Sequence, residues 1–291
     1  MMQKAYVSLM TAFDSNGFVD EKGTREIVRH AIDKMKADGL FVNGNIGENF
    51  LLGTPAKKNI LRMVWEEAKD DQVDLIAQIG SPNFHEGKDM LNYVTYTLGY
   101  RTVAAITPFY YHFTFSEIKN YYDQLVKDID TQMIIYVAPA MTGVNLTLNQ
   151  YRELFSNPKI IGVDLECSDL KLLERLRRNF PDKKIYFGCD ELLLPALSLG
   201  ADGFIESSLN VNGKRIRQEI LAYDNKNMVQ ALKLQNETND LLDELERNGL
   251  YQMLKIVLQL MGVHAGYNRI PLSKPNNSQK AVAQQILAKY F

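Results

Sequence analysis

The stretch Thr102-Val103-Ala104-Ala105-Ile106-Thr107-Pro108-Phe109-Tyr110-Tyr111-His112-Phe113-Thr114-Phe115-Ser116-Glu117 holds one complete folding unit. Its first five residues are short, apolar and partly β-branched, which predicts a buried strand over Thr102–Ile106. Thr114-Phe115-Ser116-Glu117 is a capping box. The threonine oxygen takes an N–H of the first helical turn while the glutamate reaches back to the cap. Ile118, Tyr121, Tyr122 and Leu125 then recur at helical spacing. The unit therefore reads strand, loop, helix.

The same order repeats from end to end. Strands are predicted at Tyr6–Met10, Leu40–Asn43, Asp74–Ile79, Thr102–Ile106, Met133–Val137, Ile160–Leu165, Lys184–Phe187 and Gly203–Ser207. Their starts lie roughly 20 to 35 residues apart, the size of a strand plus a returning helix. Eight such units without a hairpin signal predict an α/β fold, a (βα)8 TIM barrel. The rival, an open doubly wound sheet, lacks a Gly-rich phosphate fingerprint after its first strand. Asp20 is placed to cap a helix whose inward stripe is Ile27, Val28, Ala31, Ile32 and Met35. Thr54-Pro55 reads as a capping residue before a first-turn proline. From Asn227 to Met261 the pattern is helical, broken at Asn248-Gly249. That exceeds what eight units need. We therefore expect a barrel over residues 1–226 and a C-terminal helical extension over 227–291 packed on it.

Composition narrows the function classes. Of 291 residues 46% are hydrophobic and 23% charged, which excludes a disordered chain. No apolar run approaches the ~18 residues of a membrane-spanning helix. The start, Met1-Met2-Gln3-Lys4-Ala5-Tyr6, shows no signal-peptide pattern. Lys plus Arg number 33 against 35 Asp plus Glu, a net charge of -2, so neither nucleic acid nor an anionic membrane is an expected partner. Two cysteines, Cys167 and Cys189, make no disulfide scaffold. A cytoplasmic protein is expected.

In a (βα)8 barrel the chemistry sits at the C-terminal strand ends. Those ends read Asn43-Gly44-Asn45-Ile46-Gly47-Glu48 after strand 2, Thr107–Tyr111 after strand 4 and Tyr136 before Pro139 on strand 5. Strand 6 runs through Asp164-Leu165-Glu166-Cys167. Strand 7 ends at Gly188-Cys189-Asp190-Glu191, and strand 8 at Glu206-Ser207-Ser208. Polar groups crowning apolar strands mark a site.

These motifs, with Gly200-Ala201-Asp202-Gly203, resemble the N-acetylneuraminate lyase and dihydrodipicolinate synthase superfamily over essentially the whole chain. Thr107–Phe115 and Pro139–Leu148 are more similar to the lyase branch; the synthase branch usually has an arginine where this chain has Met141. The resemblance implies a lysine ending strand 6 that forms an imine with an α-keto acid and acts as an electron sink for C–C cleavage or formation. It also implies a tyrosine ending strand 5 that relays protons, a second tyrosine after strand 4, and a hydroxyl pair in the Gly-x-x-Gly-Glu loop that holds the keto acid's carboxylate. Tyr136 and Tyr111 match the relay tyrosines, with Tyr111 reaching a neighbouring subunit's site. Asp190 and Glu191 match positions that contact sugar hydroxyls. No cofactor and no metal belong to this scheme, and a homotetramer does.

The pattern breaks at two places. Asp164 stands at the lysine position, and Asn45 and Ile46 replace the hydroxyl pair. Lys171, Lys183, Lys184 and Lys255 are poorly placed as substitutes. Glu206 stands where the lyase branch commonly has glycine. With Asp164 and Glu166 it is expected to put up to three carboxylates near the barrel axis, a cluster that raises at least one pKa. The expected ligand set is then Asn45, Ile46, Glu166, Asp190, Glu191, Glu206 and Ser207 around Tyr136, Tyr111 and Asp164. The ligand is expected to be a small molecule: a sugar acid, a keto acid or an amine-bearing metabolite. Glu48 is expected to brace its loop, His112 to lie at a surface or interface, and the cysteines to be packed small hydrophobes. Three functions compete: a Schiff-base lyase or aldolase, a relative that binds a metabolite without imine chemistry, and an enzyme using Asp164 or Glu206 as base or metal ligand. Asp164 cannot form an imine, so the second is the expected function and an altered lyase the alternative.

Overall fold

The computed structural model describes residues 3–291; the expectation about the chain's start falls partly on residues 1 and 2 and there lies outside the described residues. Eight parallel strands close into a barrel in chain order. They are β1 Lys4–Ser8, β2 Gly39–Val42, β3 Asp74–Gln78, β4 Thr102–Ile106, β5 Gln132–Val137, β6 Ile160–Leu165, β7 Lys184–Phe187 and β8 Gly203–Glu206. Around them run α1 Glu21–Arg29, α2 Thr54–Ala68, α3 Phe84–Asn92, α4 Phe115–Val126, α5 Pro139–Thr142, α6 Leu148–Phe155, α7 Leu170–Asn179, α8 Leu193–Ser198 and α9 Leu209–Asp224. The chain ends in α10 Met228–Arg247, α11 Leu250–Leu260 and α12 Asn277–Tyr290. No described helix is long and apolar enough to cross a membrane.

The caps act largely as the sequence predicts. Asp20 accepts from the Gly23 N–H at 3.0 Å, and Thr114 and Glu117 form the reciprocal capping box. One cap differs. Gly53 is the N-cap of α2, Thr54 is its first helical residue, and the Thr54 hydroxyl donates to Glu86 at 3.1 Å. A side chain that finds a buried acceptor across the helix layer gives up the local cap.

Alternation along the strands separates two apolar layers. Tyr6, Phe41, Ile76, Ile106, Tyr136, Tyr186 and Ile205 pack inside the barrel. Their neighbours Val7, Leu40, Ile135, Val163, Phe187 and Phe204 face the helices. The ring pairs Tyr6–Tyr186 and Phe41–Tyr136 meet edge to face, with centroids 5.2 and 5.4 Å apart. Parallel register sets equal-facing residues side by side: Ile106 beside Tyr136, Tyr136 beside Asp164, and Asp164 beside Tyr186.

Gly162, two residues before Asp164, faces the same way. A Cβ there would stand 2.1 Å from the Lys184 carbonyl oxygen of β7. We expect Gly162→Ala to force β6 and β7 apart and to cost about 2–4 kcal/mol. A urea-unfolding midpoint unchanged from the native chain would refute that.

The C-terminal helices bear directly on the barrel. α10 packs along α9, and Gln235 of α10 ties down the loop after β7. Its side chain donates to the Asp190 carbonyl at 3.1 Å and accepts from the Leu194 N–H at 2.8 Å. Gly249, at φ 91°, turns the chain between α10 and α11 in a conformation open to glycine. That turn aims the start of α11 at the barrel mouth.

Candidate active site

A cavity of about 90 Å³ opens at the C-terminal strand ends, room for roughly three water molecules. Its walls come from strand ends: Ser8 of β1, Phe41 of β2, Tyr136 of β5, Asp164 of β6 and Ile205 of β8. Loops add Asn45 and Ile46 after β2, Glu166 after β6, Gly188 and Asp190 after β7, and Ser207 after β8. Leu250 and Tyr251 of α11 complete it. The Tyr251 hydroxyl donates to the Asn45 side chain at 2.7 Å, so the C-terminal extension is latched to the loop after β2.

Acids dominate this cavity. Asp164 is 2% exposed, and its Oδ1 is buried with no hydrogen-bond partner. Burial, then the neighbouring Glu166 carboxylate, pushes its pKa well above the carboxylate range. The Tyr136 hydroxyl donates to Glu166. Burial also raises Glu166, against the lowering effect of that hydrogen bond. Tyr136 is buried too and is raised well above a free phenol, first by burial and then by the two carboxylates. It therefore stays protonated and serves as a donor. Burial lifts Asp190 to about 7 although the Ser208 N–H bonds its Oδ2 at 3.0 Å. No lysine, arginine or histidine lines the cavity.

Tyr136, Asp164, Asn45, Ile46, Glu166, Asp190 and Ser207 thus meet in one cavity, as the strand-end reading expects. Three other residues do not. Glu206 pairs in register with Val7, which faces the helices, while its neighbour Ile205 pairs with the inward Tyr6. The expectation of Glu206 at the axis is therefore corrected: strand parity turns it outward. Both of its carboxylate oxygens are buried there without partners. Glu191 stands outside the cavity lining, where it accepts from the Cys189 thiol at 3.3 Å. Tyr111 is 68% exposed and does not line the cavity in this single chain.

Sequence reading missed Ser8, Phe41, Gly188, Ile205, Leu250 and Tyr251. Parity would have found Ser8, Phe41 and Ile205, which share the inward face of Tyr6. Nothing local signals Tyr251, because its place depends on how α11 docks.

The candidate lysines lie elsewhere. Lys255 is fully buried against Glu48 at 3.0 Å, and Lys171 and Lys184 are exposed. Burial lowers Lys255 to about 8, opposed by Glu48. Glu48 is the expected brace: it accepts from the Asn268 side chain at 2.9 Å and the Arg269 N–H at 2.7 Å. His112 is exposed. Cys167 and Cys189 are free, and burial raises both thiols, which disfavours the reactive thiolate. Among the described residues no group of three or more His, Cys, Asp or Glu is placed to hold a metal ion.

A larger groove of about 940 Å³ runs outside the barrel between α1, α9 and the C-terminus. Its arginines are already committed, Arg25 to Glu66 at 2.6 Å and Arg29 to Asp71 at 2.6 Å. The small axial cavity is the place where buried acids meet a tyrosine donor.

Residues 1–290 match the Dihydrodipicolinate synthetase family. The chain is 48% identical over 290 residues to an N-acetylneuraminate lyase of Clostridium perfringens, covering 100% of both chains. A solved N-acetylneuraminate lyase of Fusobacterium nucleatum is 48% identical with a TM-score of 0.95, over 100% of this chain and 99% of that one. The solved CdNal of Clostridium difficile, in complex with mannosamine, is 46% identical with a TM-score of 0.97 and full coverage of both chains.

Proposed function

Because this chain belongs to the Dihydrodipicolinate synthetase family, we propose that it binds a sugar-acid-like or related small metabolite at the barrel mouth without Schiff-base aldolase chemistry. One observation carries the reading. The last inward-facing residue of β6, in register with Tyr136 and walling the cavity, is Asp164, and no lysine lines that cavity. A carboxyl group has no nitrogen with which to form an imine, so the electron sink expected of an active relative is missing. A ligand derived from a sugar is carried over from the relative solved with mannosamine. A cytoplasmic homotetramer belongs to the same proposal. It is supported by Tyr110 and Tyr111, 84% and 68% exposed beside the mouth, as a surface for a second subunit.

The test is intact-mass measurement after incubation with pyruvate and borohydride, with the Fusobacterium nucleatum lyase treated in parallel. We expect the control to gain the mass of a reduced pyruvyl group and this chain to gain none. A stoichiometric gain would overturn the proposal, and peptide mapping would identify the lysine responsible.

A second reading has its own support. Asp190, at about 7, is poised to exchange a proton near neutrality, and Tyr136 is held as a donor against Glu166 in the same cavity. An altered lyase using carboxylate acid–base chemistry would draw on that pair, and the lyases among its relatives favour it. Slow pyruvate release from N-acetylneuraminate, abolished by Asp190→Asn and without a borohydride adduct, would establish it.

A further inference from the structure

We propose that the group received against Asp164 is a protonated amine, so that the ligand is a small ammonium-bearing metabolite and not a keto acid held by its carboxylate. The inference rests on the reading that no imine forms here, and it names the ligand class of that same cavity.

Asp164 carries the argument. It is 2% exposed, it walls the cavity, and Oδ1 has no hydrogen-bond donor among the described residues. A buried acceptor left unsatisfied by the protein is matched by a ligand that brings the donor. An ammonium brings three N–H donors and no acceptor. Glu166 and Asp190 stand in the same walls, and no cation offsets them. An entering carboxylate finds no cation in these walls, whereas an ammonium gains an opposite charge from each carboxyl group that ionises on binding. The carboxyl groups are not gathered as a metal-ligand set, which favours a hydrogen-bonding cation over a metal ion.

Charge and protons balance simply. Burial and the Glu166 carboxylate favour the neutral acid of Asp164 before a ligand enters. The groups facing it are Tyr136 from β5, Glu166 beyond its own strand and Tyr186 from β7, with the outward Glu206 close enough to couple to it and Asp190 in the same cavity wall. When the ammonium docks, Asp164 gives its proton to solvent and the ion pair replaces the O–H bond. No covalent bond to the ligand forms or breaks. Binding therefore releases a proton and strengthens with rising pH until the amine itself deprotonates. A keto acid held by hydrogen bonds from neutral Asp164 would show the reverse sign.

The cavity's size sets the probes: ethanolamine, ethylene glycol and glycolate, close in size and differing in charge. Affinities are measured by titration calorimetry at pH 7 in two buffers of different ionisation heat. Ethanolamine is expected to bind about tenfold tighter than ethylene glycol, with glycolate weakest, and to release about one proton. Asp164→Asn is expected to remove the preference while Glu166→Gln only reduces it. Three results would each overturn the inference: glycolate equal to or tighter than ethanolamine, proton uptake, or no ethanolamine binding up to roughly 100 mM, a generous limit for four heavy atoms. The wild-type ranking stands even where a variant folds poorly. A pyruvate adduct trapped by borohydride would instead remove the underlying reading, and the two failures are separate measurements.

Discussion

Asp164→Lys is expected to gain a borohydride-trappable imine with pyruvate where the native chain shows none. The expectation follows from position. The residue stands one before the end of β6, sits beside Tyr136 in register and lines the axial cavity. A lysine there inherits a buried wall that favours the neutral amine, the form that attacks a ketone. Glu166 opposes this by stabilising the ammonium, so labelling should be slow at neutral pH and faster near pH 9. Removing that brake with Asp164→Lys/Glu166→Thr should increase the labelling rate about tenfold or more. The loop after β2 supplies Asn45 and Ile46 in place of the expected hydroxyl pair, so pyruvate binding should remain weak even when the imine forms. An unlabelled variant that is folded by circular dichroism and calorimetry would show that this strand end does not correspond to the imine position of the family. That outcome would remove the reason to regard Asp164 as a replacement for a lysine.

The fold was legible because the barrel's signals are local. Thr102–Ile106, Ile160–Leu165 and Lys184–Phe187 are found with the predicted bounds. β1 is displaced, running Lys4–Ser8 where Tyr6–Met10 is expected. Leu9 and Met10 are apolar and buried, yet they lie past the end of the ladder, so composition alone could not place that end. The site was legible by strand end and less so by direction. Glu206 was expected at the axis because it stands at a strand end, but a strand end has two faces. Val7 and Tyr6 across the β1–β8 ladder show which face each β8 residue takes. Tyr251 was out of reach, since its contact with Asn45 joins residues more than two hundred positions apart through the docking of α11.

The outward turn of Glu206 has a thermodynamic consequence: the protein should lose stability as pH rises from about 6.5 to 8. Glu206 and Glu219 of α9 are both buried, and none of their four carboxylate oxygens has a partner. Burial raises Glu219 to about 8, and burial with Asp190 and Glu219 raises Glu206 well above its usual range. Such acids hold protons in the folded state that the unfolded chain has released. Their contribution is fully present below the unfolded value of 4.5 and fades as pH climbs through the folded value, about 8 for Glu219. Asp190, at about 7, acts in the same direction. His30 opposes them only below its ordinary value of 6.5, because burial lowers it, and Lys255 opposes them only above about 8. Between those limits the buried acids govern the slope. Glu219→Gln removes one ionisable member of the pair, so its urea-unfolding free energy should change less across this window. At pH 8 the variant should be more stable than the native chain by about 1–3 kcal/mol, a figure already reduced for the cost of a buried amide. At pH 5, where native Glu219 is protonated, the same amide should leave the variant equal or slightly weaker. Native stability that is flat or rising between pH 6.5 and 8 would mean that these carboxyls find partners in solution and ionise inside the fold.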